Sequence, residues 1–237
     1  MRAAIIAAAL SCGLAQGATA QCRQALALGL DVSGSVDLRE YRLQLDGLVA
    51  ALNDPAVMQV LLAQPGAPVS LLVYEWSGPD DQVVLVPWTA ITDHDDLRDI
   101  SLTLAQAERR VTTPGTALGT AMQFGATVLA VQSRCWKRTL DISGDGKSNQ
   151  GPRPRDVRDK VATGDITING LVIGADAPAY GDRRQSDIGE LSSYFRAEVI
   201  AGPEAFVQTA LGFEDYQAAM TQKLLRELSV LAIGALQ

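Results

Sequence analysis

Apolar positions along this chain follow two rhythms that alternate from end to end. Short continuous apolar runs predict buried strands over Ala25–Leu30, Val69–Tyr74, Val83–Val86, Arg138–Ser143, Ile166–Ile173 and Ala197–Ile200. Between them, apolar residues recur every three or four positions and predict helices over Asp37–Asn53, Asp95–Arg109, Thr116–Val131, Asp156–Thr163, Ser186–Phe195 and Phe213–Leu231. In the first helix Tyr41, Leu45, Leu48, Val49 and Leu52 share a face. In the last, Phe213, Tyr216, Met220, Leu224, Leu225 and Leu228 do so. Asn53-Asp54-Pro55 stops the first helix, and Ser77-Gly78-Pro79-Asp80-Asp81 folds the second and third strands into a hairpin. The alternation predicts an α/β fold: a single doubly wound, mostly parallel sheet with helices on both faces and one antiparallel strand from the hairpin. No internal repeat or low-complexity linker divides it.

The first 20 residues stand apart from this pattern. Met1-Arg2 is a short positive start, Ala3–Leu14 is apolar, and Ala18-Thr19-Ala20 matches a small-residue cleavage site. This reads as a signal peptide, residues 1–20, ahead of one mature domain, residues 21–237, that is periplasmic or secreted. The leader is too short to span a membrane, and no other stretch approaches the required length. Cys12 leaves with the leader, because Ala9-Leu10-Ser11-Cys12 is a poor lipidation signal. Cys22 and Cys135 remain, and two cysteines in an exported chain invite a disulfide.

Composition narrows the chemistry. The chain has 237 residues, 47% of them hydrophobic and 20% charged, which is the balance of a globular protein. A formal charge of −7 argues against nucleic acid and anionic membrane surfaces as partners. One histidine and three cysteines leave no material for a His-rich or four-cysteine zinc site or a cysteine-ligated cluster, so any metal must be held mainly by oxygen. His94 sits among Asp93, Asp95 and Asp96, where a helix-capping segment is expected, and no nucleophile elbow accompanies it.

Ligands of open α/β sheets bind beyond the carboxyl ends of the strands. Past the first strand come Asp31-Val32-Ser33-Gly34-Ser35, and past the fourth Ser143-Gly144-Asp145-Gly146. Between them, Thr116 starts a helix after a Pro-Gly turn. Singly, Ser33, Ser35 and Thr116 read as helix caps and Asp-Gly as a turn. Together they place two carboxylates and three hydroxyls at one rim, a hard oxygen set suited to Mg²⁺.

Asp31-x-Ser33-x-Ser35, then Thr116 in Thr116-Ala117-Leu118-Gly119, then Asp145 in Leu140-Asp141-Ile142-Ser143-Gly144-Asp145-Gly146 resemble the metal-ion-dependent adhesion site of von Willebrand factor type A domains. The hairpin Leu71–Pro87 fits that fold's one antiparallel edge strand, and the Phe213–Tyr216 segment with the closing helix resembles a secreted proteobacterial subgroup of uncharacterised function. The resemblance implies a six-stranded sheet of order 3-2-1-4-5-6. It implies Ser33, Ser35 and Thr116 as hydroxyl ligands, with Asp31 and Asp145 holding the ion partly through water. The ion would be Mg²⁺, with Mn²⁺ and Ca²⁺ as alternatives. The partner would be a protein presenting Asp or Glu to an open coordination position, and no enzymatic activity is expected. Glu75, Trp76, Tyr180, Arg183 and Arg184 are expected on the same rim. The sheet order would also set Cys22 and Cys135 near the amino ends of adjacent strands, which implies a disulfide between them. In some members of that superfamily the last helix moves with the metal loops, and the same coupling is expected of the closing helix here. The rival from another class is a Mg²⁺-dependent phosphohydrolase of haloacid dehalogenase type, with Asp31 as nucleophile. Ser33 stands where that chemistry wants a second Asp, and Asn149 where it wants an acidic ligand.

Overall fold

The computed structural model describes residues 22–161, 164–174 and 184–234. Six strands form one sheet: β1 (Gln24–Asp31), β2 (Val69–Trp76), β3 (Gln82–Ile91), β4 (Lys137–Gly144), β5 (Ile166–Ile173) and β6 (Val207–Ala210). Their order is β3-β2-β1-β4-β5-β6, the expected 3-2-1-4-5-6, and every pairing is parallel except β2 with β3. The helices among the described residues are α1 (Leu38–Leu52), α2 (Pro55–Leu61), α3 (His94–Gln106), α4 (Leu118–Ala130), α5 (Pro154–Val161), α6 (Arg184–Glu198) and α7 (Tyr216–Gly234). The predicted leader lies outside the described residues.

Both faces of the sheet are covered, which is why β1, β2 and β5 are buried along their whole length and are mostly apolar. On one face Leu26, Leu28 and Leu30 pack with Tyr41, Leu45 and Leu48 of α1 and with Tyr216, Met220 and Leu224 of α7. On the other, Ala25, Ala27, Tyr74 and Trp76 meet Leu118, Met122 and Leu129 of α4 and Phe195 of α6. Tyr74 needs room there. A Cβ at Gly29 would sit 2.6 Å from its ring and one at Gly125 2.9 Å from its hydroxyl, which donates to Ala121 O at 2.8 Å.

Local chemistry sets the helix starts. Asp37 with Glu40 and Asp93 with Asp96 form capping boxes, so His94 opens α3 just inside a cap. Asp54 caps α2, whose first position is Pro55. The same Asn53-Asp54-Pro55 that ends α1 therefore starts a helix the sequence pattern did not reveal.

Ala197–Ile200 is not a strand. Ala197 and Glu198 finish α6, Val199 and Ile200 donate to Phe195 O, and Ala201 only bridges Ile168. The sixth strand is Val207–Ala210, a four-residue edge that is only partly buried and carries no apolar run to announce it. At the amino end of the sheet, Cys22 and Cys135 form the expected disulfide, with Cα atoms 4.4 Å apart. Arg23 beside it donates to Val60 O and Leu61 O at the end of α2.

Candidate metal centre

Asp31 is the last residue of β1, and pairing with β2 continues one step further through Val32 N to Trp76 O. The chain then turns. Ser33 N donates to Asp31 Oδ1 at 2.8 Å, and Val36 N donates back to Ser33 O at 3.1 Å. This curl brings the Ser33 and Ser35 hydroxyls within 3.2 Å of each other. Ser35 Oγ donates to Asp145 Oδ1 at 2.7 Å, so the first and third motifs meet through their side chains. The loop carrying Thr116 locks between them. Gly34 N donates to Pro114 O, Thr116 N donates to Asn149 Oδ1, and Thr116 O accepts from Asn149 N.

None of the three hydroxyls caps a helix. Asp37 caps α1, and α4 begins after Ala117 without a side-chain cap. The ordinary use of Ser33, Ser35 and Thr116 is thereby set aside. The centre is graded by depth: Asp31 and Ser33 are 0% exposed and Thr116 7%, while Ser35 is exposed and Asp145 half-buried. Asp31 Oδ2 lies buried without a hydrogen-bond donor, and a Cβ at Gly144 would stand 3.2 Å from it. Burial first, and the nearby Asp145 charge second, push the Asp31 carboxyl up to about 8. Burial likewise raises Asp145. Two carboxyls held in this way are poised for a cation, and the surrounding donors are all hard oxygens, which fits a divalent ion of the Mg²⁺ class.

The expected rim is only partly right. Register sets Glu75 and Trp76 at the carboxyl end of β2, opposite Leu30 and Asp31. Their side chains turn inward and are 1% and 0% exposed, because each continues the in–out alternation of a strand covered on both faces. Glu75 accepts from the Tyr41 hydroxyl at 2.5 Å and lies 3.7 Å from Arg110, so it braces the interior and does not face a partner. Tyr180 and Arg183 lie outside the described residues. Arg184 opens α6, and its side chain is likewise outside them.

Several supporting residues escaped the sequence pattern. Gln44 is fully buried on α1, donates to Asp31 O at 3.0 Å and accepts from Ser143 Oγ at 3.2 Å. A polar residue in phase with Tyr41, Leu45 and Leu48 was its available signal. Asn149, noted in the sequence only as a departure from the phosphohydrolase pattern, holds the Thr116 backbone from both sides.

The family model described as "Protein of unknown function (DUF1194)" matches residues 21–232. No curated protein matches the chain by sequence. Among solved structures, proximal thread matrix protein 1 from the mussel byssus is similar at TM-score 0.61 and 16% identity, covering 89% of this chain and 49% of that one. The chain thus spans about half the length of the mussel protein. Another structure of that protein, described as having a zinc-occupied MIDAS motif, aligns at TM-score 0.59 and 12% identity over 88% of this chain and 46% of that one. BatB from Bacteroides thetaiotaomicron aligns at TM-score 0.55 and 16% identity, over 88% of this chain and 98% of that one. The fold is that of a von Willebrand factor type A domain.

Proposed function

The chain belongs to the DUF1194 family, and on that footing we propose that it is a metal-dependent protein-binding module working in the periplasm or outside the cell. One observation carries the reading. Asp31, Ser33, Ser35 and Asp145 come together at the carboxyl end of the sheet, where the buried Asp31 Oδ2 has no hydrogen-bond donor among the described residues. Ser33, Ser35 and Thr116 supply hydroxyl oxygens, and Asp31 and Asp145 orient them and hold the ion partly through water. Mg²⁺ suits this set, with Mn²⁺ and Ca²⁺ as alternatives. An ion held mainly by neutral hydroxyls keeps its charge and supplies the attraction for a partner's Asp or Glu. That matters in a chain of charge −7, whose general field repels carboxylates. Ser35 and Asp145, on the exposed side, mark where the partner arrives.

Export is supported by the apolar leader and by a disulfide, a bond that persists in oxidising compartments. No helix among the described residues is long and apolar enough to cross a membrane. Coupling of α7 to the centre belongs to the same reading, since Gln44 links Asp31 O to Ser143 on the face that α7 covers. Phosphoryl transfer finds no support at Ser33, a hydroxyl where that chemistry needs an acid.

Titration calorimetry with Mg²⁺ tests the proposal. Binding is expected in the natural chain and its loss in Asp31→Ala; no heat in either, with Mg²⁺ or Mn²⁺, would overturn it. Capture of a partner in Mg²⁺ but not in EDTA, and not by Asp31→Ala, is the matching expectation for protein binding.

A further inference from the structure

We propose that Arg109 is a positioning residue for the metal centre, fixing the backbone of the loop that carries Ser33 and Ser35. The inference rests on the metal-binding reading above.

The segment after α3 crosses directly over that loop. Arg109 Nη2 donates to Val36 O at 2.8 Å, to Ser33 O at 3.3 Å and to Val32 O at 3.4 Å. Thr112 Oγ1 adds a bond to Val32 O at 3.2 Å, and Pro114 O accepts from Gly34 N at 3.2 Å. One strap, the six residues from Arg109 to Pro114, therefore holds the loop from Val32 to Val36. The strap is itself fixed. Arg110 lies 3.7 Å from the buried Glu75 carboxylate, Thr113 N donates to Asp81 Oδ2 at 2.9 Å on the hairpin turn, and the segment runs on into Thr116.

The loop needs such a device. It lies between β1 and α1 with only a short turn of its own, and the direction of each serine hydroxyl follows its backbone. Its carbonyls are also hard oxygen donors that could swing toward a cation and displace the hydroxyls. A guanidinium gathering three of them keeps them turned away from the centre. Bonds from a charged donor are roughly twice as strong as neutral ones, so one side chain can do this at a half-buried site. Groups that orient metal ligands without touching the metal typically change affinity by about 10- to 100-fold when removed.

The test compares Arg109→Ala, Arg109→Lys and Thr112→Val with the natural full-length mature chain. Mg²⁺ affinity is read by calorimetry, and hydrogen exchange over 32–36 is read with no metal present. Arg109→Ala is expected to lose about 10- to 100-fold in affinity and to speed exchange at Ser33, Gly34 and Val36. Arg109→Lys should recover part of both, since a single nitrogen makes all three contacts, and Thr112→Val should show a smaller change in the same direction. Val57→Ala, in α2, serves as a control for lowered stability and should bind Mg²⁺ normally. Unchanged exchange over 32–36 in Arg109→Ala, or an equal loss of affinity in Val57→Ala, would overturn the positioning role. Failure of the natural chain to bind metal would remove the metal reading, while exchange at 32–36 would still decide whether Arg109 fixes the loop.

Discussion

Two pairs of acidic residues, three of the four buried and Asp145 half-buried, are treated in opposite ways. Asp141, midway along β4, and Glu227, on α7, share the ammonium of Lys223, which lies 2.8 Å from one and 2.7 Å from the other. Asn169 adds a hydrogen bond to Glu227, and its own oxygen accepts from Phe206 N. Asp31 and Asp145, at and just beyond the ends of β1 and β4, are met by hydroxyl and amide donors. Burial raises a carboxyl in both places, Asp141 to about 7 and Asp31 to about 8. The first pair carries its cation within the chain and is closed. The second lies at the carboxyl end of the sheet, where the proposed ion would supply the opposing charge. Burial disfavours a carboxylate in both places, and on that proposal the two pairs differ in where the compensating charge comes from.

The largest expected effect sharpens this contrast by touching neither pair. The disulfide closes a separation of 113 residues, and losing it in Cys22→Ser/Cys135→Ser should cost roughly 4–5 kcal/mol of unfolding free energy by chain entropy. Because the bond lies at the amino end of the sheet, Mg²⁺ affinity of the folded double variant should be unchanged. Urea unfolding and calorimetry on the same samples check both halves.

Next in size is Lys223→Met. It strands two buried carboxylates and should destabilise by about 3–5 kcal/mol in thermal or urea unfolding. Asp31→Asn in the metal-free chain should instead leave the midpoint unchanged or raise it, because it relieves repulsion with Asp145 and keeps an acceptor for Ser33 N. Equal losses in the two variants would break the contrast.

The last expected effect is in pH dependence. Asp141 is raised by burial first and by the Glu227 charge second, with Lys223 opposing. The folded chain thus keeps a proton that the unfolded chain releases near pH ~4. Stability from this group is therefore full below that pH and is lost as pH rises toward 7. Melting temperature without metal should decline across that window, and the decline should be flatter in Asp141→Asn.

Legibility followed the physics of each element. Ile166–Ile173 coincided with its strand to the residue, because a strand buried on both faces is mostly apolar and its few polar residues, such as Asn169, find partners inside. Val207–Ala210 was invisible: a short edge is held by backbone bonds to β5 and needs no apolar run. Asp31, Ser33, Ser35, Thr116 and Asp145 each have an ordinary reading as a cap or turn residue, and only their order and spacing taken together set them apart. Glu75 and Trp76 were placed at the correct height and given the wrong direction, since register fixes height while packing decides which way a side chain turns. The apolar face of the last helix says nothing of Lys223, and only the folded chain sets it between Asp141 and Glu227.

The sequence alone therefore determined the alternation of strands and helices, the α/β class and the oxygen-rich character of the candidate centre. These depend on local periodicity and on which donor atoms the chain possesses. Tertiary structure decided which carboxylates receive an internal cation, that Arg109 straps the serine loop, and that the rim's acid and tryptophan face inward. Apart from the Lys223–Glu227 pair, four positions apart on α7, these depend on contacts between residues 30 to more than 80 positions apart, whose partners no local pattern encodes.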